Sequence, residues 1–366
     1  MQRVHTSNPP FSERGGTLRG CLDLLCGRFP AFVFGGSVGQ LLPVFHFHAV
    51  TREELEPKLC HLAENGYRSV TSDEVASYAR GDLKLPARSV ALCFDDAWKS
   101  LASVAAPLQK QFGLTAIAYA IPARMTEGDN AQFVSWAELE ALHTSGVVDV
   151  QSHTQSHSMI FCSPDPEDFV GPAYEATPFL NRPQLSLPPA LEFLTPADLG
   201  APLYAARSRM SDAPRVLISR EAQVRCTELV AREGGVAFFD RPGWRERLRA
   251  TASASSAAPF EATKAHERAI EDELAESRAT LNARLKTQSV NHICLPWGVA
   301  GSRVEALLKR VGYRSAFANR LRGQHAVCPG DDPYWLKRLP NRYIAHLPGR
   351  GRKYWFAVSP RPPASA

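Results

Sequence analysis

The stretch SVALCF at residues 89–94, followed at once by Asp95 and Asp96, decides the fold. Six residues with no charge, closed by two acids, read as a strand buried on both faces. Strands of that kind lie in parallel sheets covered by helices, and the flanking sequence alternates to match. Upstream, residues 41–48 form a short apolar run ending in Phe45-His46-Phe47-His48. Thr51, with Glu53 and Glu54 behind it, opens a helix, because a hydroxyl cap and early acids suit its positive end. Leu55, Leu59 and Leu62 repeat at helical spacing and Asn65-Gly66 stops the run. A strand is expected over 67–70 and a short helix over 72–78, capped by Ser72 or Asp73. Downstream come a helix over 100–112, a buried strand over 115–121 (TAIAYAI), a helix over 136–143 and a strand over 147–151. Strand and helix in turn predict an α/β fold with parallel strands, whose chemistry collects at the strands' C-terminal ends.

The regularity lapses after Met159. Ten prolines between 160 and 215 predict an irregular excursion, followed by helical pieces near 220–233 and 259–285 with an Ala/Ser-rich linker at 250–258. The second piece is highly charged, and Ile270, Leu274, Leu281 and Leu285 form its apolar stripe, as in a surface helix packed on one side. Strand and helix return at 290–295, 303–311 and 315–318. The organisation expected is an N-terminal extension at 1–40, a domain made of 41–160 and 290–350, and an insertion at 161–289.

The chain has 366 residues, 44% hydrophobic and 22% charged, with a net charge of +5. That is globular composition, and the mild basicity argues for solubility rather than for a nucleic-acid partner. There is no basic run interleaved with stacking aromatics of the kind a nucleic-acid groove needs. No window supplies the apolar length of a membrane span or the early apolar core of a signal peptide. The eight scattered cysteines form no CxxC and read as free thiols, so the expected compartment is cytoplasmic.

His153-Thr-Gln-Ser-His157 sets two imidazoles four residues apart, which on a helical turn would let both share a metal ion. A third ligand would come from Asp95-Asp96 at a neighbouring strand end, and the other acid could act as a base. Two histidines, one carboxylate and an open position make a hydrolytic metal site. Alone, each motif is as easily a helix face or an N-cap; at consecutive strand ends they reinforce one another.

Taken together, LPVFHFHAV, GYRSVTSDEVASYARGDLKLPARSVALCFDDAWKS, SHTQSH and LPWG resemble the polysaccharide deacetylases with a NodB-type domain, carbohydrate esterase family 4. The resemblance covers about 41–160 and 290–320, and is nearest to the branch that opens with a histidine-bearing strand. It implies a distorted (β/α) barrel of the NodB type with a long insertion, and hydrolysis of an N-acyl group, an N-acetyl above all, from an amino sugar. It further implies that Asp95 is the general base, that Asp96, His153 and His157 hold a divalent metal, usually zinc, and that the backbone N–H at Trp297 serves an oxyanion hole. In that branch the proton donor is the N-terminal histidine, His48 here, with His46 and His346 as further candidates. The sequence departs from the pattern in three places: Ala97 stands where the family has glycine, Cys294 and Leu295 stand where an arginine orients the base, and a late leucine-x-histidine is missing.

Trp98 and Trp136 are candidates to stack on a sugar, each equally a core residue. The basic loop at 347–353 (LPGRGRK), after Lys337, Arg338 and Arg342, reads either as an anion clamp or as a solvated turn. Other readings of the whole are a deacylase of a different amide or ester, such as a formyl group, and a catalytically silent saccharide-binding protein that keeps the metal site.

Overall fold

The computed structural model describes residues 30–174, 183, 185, 192–218, 220–253, 259–318 and 326–353. The N-terminal residues 1–29, with Cys21 and Cys26, and residues 254–258 of the expected linker lie outside them. Two compact units result: His157–Ile270 is one, and the residues up to Ser156 and from Glu271 form the other.

The larger unit begins with β1 (Val44–Phe47). The helix α1 (Arg52–Glu64) is capped by Thr51, whose side chain accepts from the Glu54 amide, and Leu55, Leu59 and Leu62 are its buried stripe. After β2 (Arg68–Ser69) comes α2 (Ser72–Arg80). Its cap is Thr71 and not Ser72 or Asp73, because Thr71 and Glu74 satisfy each other's backbone N–H in a capping box. Ser72 instead donates its amide and hydroxyl to Asp149 at 2.8 and 2.6 Å. Every residue of β3 (Ser89–Asp96) is buried. The helix expected over 100–112 is divided into a π-helical turn, Leu101–Ala105, and α3 (Ala106–Gln111). Pro107 has no N–H for the regular ladder, which accounts for the break. Then follow β4 (Ala116–Ala120), α4 (Trp136–Thr144) capped by Ser135, and β5 (Val148–Ser152).

In the smaller unit the irregular excursion expected over 160–215 is replaced in part by paired strands, residues 175–182, 184 and 186–191 lying outside the described ones. Two strands, β6 (Met159–Phe169) and β7 (Pro202–Ser208), pair antiparallel, with register shifts between Phe161 and Pro166 and between Pro166 and Asp168. A proline removes one ladder donor, so a two-stranded ribbon with irregularities at its prolines accommodates them. Two helices, α5 (Arg220–Arg232) and the unexpected α6 (Trp244–Ser253), bury Cys226, Val230, Leu248 and Ala252 against Phe169 and Phe238. In the same unit, Arg209 donates to both oxygens of Glu261 at 2.5 and 2.9 Å. The same carboxylate lies 2.8 Å from His266 Nδ1 and accepts from the Arg215 amide at 2.7 Å.

The long helix α7 (Thr263–Arg284) contains the division between the units. Ile270, Leu274, Leu281 and Leu285 are all buried, as the stripe predicted. The larger unit then resumes with β8 (His292–Cys294), α8 (Val304–Val311), β9 (Ser315–Phe317) and β10 (Leu339–Pro340).

Its strands lie in the order β10-β1-β3-β4-β5-β8-β9, with β2 added on β3, and all of the pairs are parallel. Leu336, just before β10, bridges back to Phe317, with its amide 3.1 Å from the Ala316 carbonyl and its carbonyl 3.0 Å from the Ala318 amide. The row of strands therefore curls on itself into a distorted (β/α) barrel, as expected. Period-2 alternation divides its side chains. Phe45, Phe47, Leu92, Phe94, Ala118 and Val150 face the helices, while Val44, Ala91, Cys93, Ile117, Tyr119, Cys294 and Phe317 make a second, inner cluster. Among the described residues no helix is long and apolar enough to cross a membrane.

Candidate active site

Consecutive residues of a regular strand face opposite ways, so Asp95 and Asp96 should diverge. They do not, because Asp96 (φ 67°) and Ala97 (φ 53°) leave the strand through left-handed conformations. Both carboxylates consequently reach His153. Donor atoms of Asp96, His153 and His157 all lie within 4.8 Å of one another, as do those of Asp95, His153 and Cys294. Asp96 Oδ1 is 3.3 Å from His153 Nε2. The indole Nε1 of Trp98 donates to the other oxygen, Oδ2, at 2.9 Å.

The two histidines meet by a route other than the helical turn their spacing suggested. Residues 153–158 are not helical, and Thr154 (φ 67°) and His157 (φ 54°) are left-handed. The chain turns tightly enough to bring His157 back beside His153, both less than a tenth exposed. His153 Nδ1 lies 2.6 Å from the Cys294 carbonyl at the end of β8. A carbonyl only accepts, so that nitrogen carries the proton and Nε2 faces the acids.

Asp95 continues the inner row of Ala91 and Cys93 and is 3% exposed. Arg338, immediately before β10, donates to both of its oxygens at 2.6 and 2.8 Å. Burial pushes the Asp95 carboxyl up, but Arg338, with His153 and His48 behind it, outweighs that and holds it well below the usual carboxylate range. Arg338 itself rests between the rings of Tyr119 and Phe317, at 5.8 and 5.7 Å. The arginine missing from the region of Cys294 is thus replaced by one from the far end of the sequence. The only local sign of it is a cation heading an apolar Leu339-Pro340 pair, within a basic stretch that otherwise reads as solvated surface.

His48 is exposed and places Nε2 3.7 Å from Asp95 Oδ2. His46 stands behind it, ring centroids 5.8 Å apart. Burial first, and Arg338 next, lower the His46 pKa to about 3, so its ring is neutral near pH 7. His346 is buried beside Tyr343, and burial followed by the charge of Arg352 lowers its pKa. It belongs to none of the clusters around Asp95. Trp297 follows β8 in a left-handed conformation (φ 54°), which turns the backbone after Pro296 sharply at the strand end.

Other expectations resolve differently. Trp98 stacks on Phe133 at 4.7 Å and holds Asp96, while Trp136 is 8% exposed in the core with Arg284 over its ring. The loop at 347–353 ties the fold together. Arg350 exchanges hydrogen bonds with the Asn65 side chain at 2.6 and 3.1 Å, and Arg352 donates to the carbonyls of Phe32, Gly36 and His346 at 2.8, 2.6 and 2.9 Å. Six cysteines, at 60, 93, 162, 226, 294 and 328, are free.

The donor set fits a divalent cation. Two imidazoles and one carboxylate converge, and each of the donors seen in detail is oriented from behind: His153 by a carbonyl, Asp96 by an indole. Burial disfavours charge on His153, yet the surrounding Cys294 and the Asp96 and Asp95 carboxylates outweigh it and hold its pKa well above the ordinary value. A proton is thus drawn to the place where a cation would bind, and a metal would have to displace it.

Comparison with known proteins agrees with this geometry. The polysaccharide deacetylase family model matches residues 82–172, which carry Asp95, Asp96, His153 and His157. No curated protein matches the chain. Among solved structures, IcaB from Ammonifex degensii is similar at 17% identity with a TM-score of 0.50, over 84% of this chain and 95% of that one. The BpsB deacetylase domain from Bordetella bronchiseptica is similar at 13% identity with a TM-score of 0.53, over 83% of this chain and 96% of that one. At such identities the likeness concerns the fold. The segment matched by the family model supplies both acid- and histidine-bearing strand ends of that fold, so residues 82–172 are similar to the polysaccharide deacetylase family and the barrel is of the NodB type.

Proposed function

We propose that this protein removes an N-acetyl group from an amino sugar, in a poly- or oligosaccharide or its biosynthetic precursor, using a divalent metal held by Asp96, His153 and His157. The observation that carries the reading is the convergence of those three donors beside an Asp95 that Arg338 holds ionised. Zinc suits a site of two imidazoles and one carboxylate. When bound there, such an ion polarises a carbonyl and makes a water more acidic. Asp95 is the base that takes the proton of the attacking water. Arg338 fixes its carboxylate in one orientation and keeps it charged across the working pH range. Each Asp95 oxygen has a second lone pair, so pairing with Arg338 leaves it able to accept that proton.

His48, open to solvent and 3.7 Å from Asp95, protonates the departing amine. His46 is unsuited to that role because it holds no proton to give near pH 7. The backbone N–H of Trp297 helps to hold the developing oxyanion. A silent saccharide-binding protein would be favoured by a base without an orienter, and Arg338 supplies one. The free cysteines suit a reducing compartment. In the cytoplasm the substrate would be a lipid- or nucleotide-linked sugar, and finding the protein in the periplasm would turn the reading toward a finished polymer. The test is acetate release from N-acetylglucosamine oligomers with and without chelator. Asp95→Asn should abolish turnover while metal stays bound, and His153→Ala should lose the metal. Turnover by Asp95→Asn would refute its role as base.

A further inference from the structure

Residues 153–157 begin and end on candidate ligands, and their shape is itself improbable. Thr154 and His157 are left-handed non-glycine residues, a conformation that persists only where the surroundings over-determine it. The surroundings that do so come largely from α7. Ser277 Oγ lies 2.7 Å from Ser152 Oγ, and Ser152 Oγ in turn accepts from the Thr154 amide at 3.3 Å. One turn earlier on the same helix, the Glu273 carboxylate accepts from the Ser156 amide at 2.9 Å with one oxygen and from the Ser156 hydroxyl with the other. The Glu273 carbonyl also accepts from the Gln155 amide at 3.1 Å. From the opposite side the Gln155 carbonyl accepts from the Ala123 amide at 2.9 Å, and the buried Arg124 donates to the Ser156 carbonyl at 3.5 Å. Glu273 and Ser277 are 6% and 0% exposed.

The spacing matches on both partners. Ser152 and Ser156 are four apart and each immediately precedes a histidine, His153 or His157. Glu273 and Ser277 are four apart on one face of a helix. We propose that Glu273 and Ser277 form a two-point clamp that sets the separation of His153 and His157, so that α7 is a positioning element of the metal site. The clamp holds one residue behind each ligand, and the histidine loop has no regular structure of its own to fix that distance. This rests on the reading of His153 and His157 as metal ligands.

The experiment measures zinc affinity of the full chain by competition with a chromophoric chelator, and the absorption spectrum of the cobalt(II)-substituted protein. Glu273→Ala should weaken zinc binding about 10–100-fold, the usual range for partners that orient ligands. Ser277→Ala and Ser156→Ala should weaken it less, since each leaves part of the clamp. Glu273→Gln, which keeps an acceptor for the Ser156 amide, should recover part of the affinity and the wild-type cobalt spectrum. Thermal midpoints of all variants are recorded alongside, and the two serine variants serve if Glu273→Ala does not fold. Wild-type affinity and spectrum in folded Glu273→Ala, or in both Ser156→Ala and Ser277→Ala, overturn the clamp. His153→Ala in the same assay separates the two readings. If it loses zinc while the clamp variants keep it, the clamp alone fails; if it keeps zinc, the ligand assignment fails and the clamp with it.

Discussion

Arg338→Met tests whether the Arg338–Asp95 pair holds up the site. The methionine keeps an unbranched apolar stem between Tyr119 and Phe317 but removes two donors, at 2.6 and 2.8 Å, from a carboxylate that is 3% exposed. With so little solvent contact, screening does not rescue the abandoned charge, and breaking such a pair costs about 3–5 kcal/mol. Asp95→Asn abandons the guanidinium instead and should also be costly. The double variant leaves neither charge unpaired, so the two losses should not add. A coupling of about 2–3 kcal/mol is expected from the double-mutant cycle. The pH dependence gives a second signature. In the wild type the folded-state pKa of Asp95 is depressed, so its contribution is present above the unfolded value of about 3.9 and lost below it. In Arg338→Met, burial acts with less opposition and raises that pKa, so the penalty grows as pH rises above about 3.9. The gap between variant and wild type should therefore be wide at neutral pH and narrow in acid. Denaturant unfolding of the four proteins measures both quantities. Additive losses, or an Arg338→Met cost below about 1 kcal/mol, the range of exposed ion pairs, would refute the reasoning.

In the smaller unit, burial acts to raise the Glu261 pKa, but His266, Arg209 and the Arg215 amide outweigh it and lower it from 4.5 to about 2. A depressed carboxylate stabilises above its unfolded pKa, here by about 3 kcal/mol, and the contribution is lost as pH falls through the folded value. Glu261→Gln should weaken residues 157–270 at pH 7 and flatten their stability between pH 5 and 2, as followed by hydrogen exchange; an unchanged acid transition would count against the network. Gly200 has φ +91°, and a Cβ there would meet Val230 Cγ2 at 2.6 Å and the Cys226 carbonyl oxygen at 2.8 Å. Gly200→Ala combines a left-handed penalty with overpacking, about 3 kcal/mol together, and a thermal midpoint within error of wild type would contradict that.

How far the sequence could be read depends on the range of the interactions. β3 and β5 were legible because an apolar strand ending in polar residues is a local pattern, and with them came Asp95, Asp96, His153 and His157. The geometry within 153–157 was not, because HxxxH spacing fits both a helical turn and the left-handed turn the chain adopts, and tertiary bonds select the second. Arg338 was invisible as a partner, since 243 positions separate it from Asp95 and only the curl of β10 onto β1 unites them. The Thr71 cap was written in Thr71-x-x-Glu74 but competed with Ser72 and Asp73 beside it. β6 was hidden by its own prolines, which a two-stranded ribbon tolerates and a central strand would not.

Ala97 stands where the resembled family has glycine, and its conformation gives that departure a cost. Ala97 is fully buried at φ 53°, a backbone state that disfavours any side chain. Of the seven described non-glycine residues with positive φ, five — Asp96, Ala97, Thr154, His157 and Trp297 — stand at the three strand ends that build the site. At about 1–2 kcal/mol each, this corner is under a combined tension comparable to the net stability of a small domain. Glycine at position 97 would relieve that residue's share of the tension, because it adopts positive φ without steric cost. An alanine at φ 53° beside two paired acids makes this corner a place where folding and site geometry pull against each other.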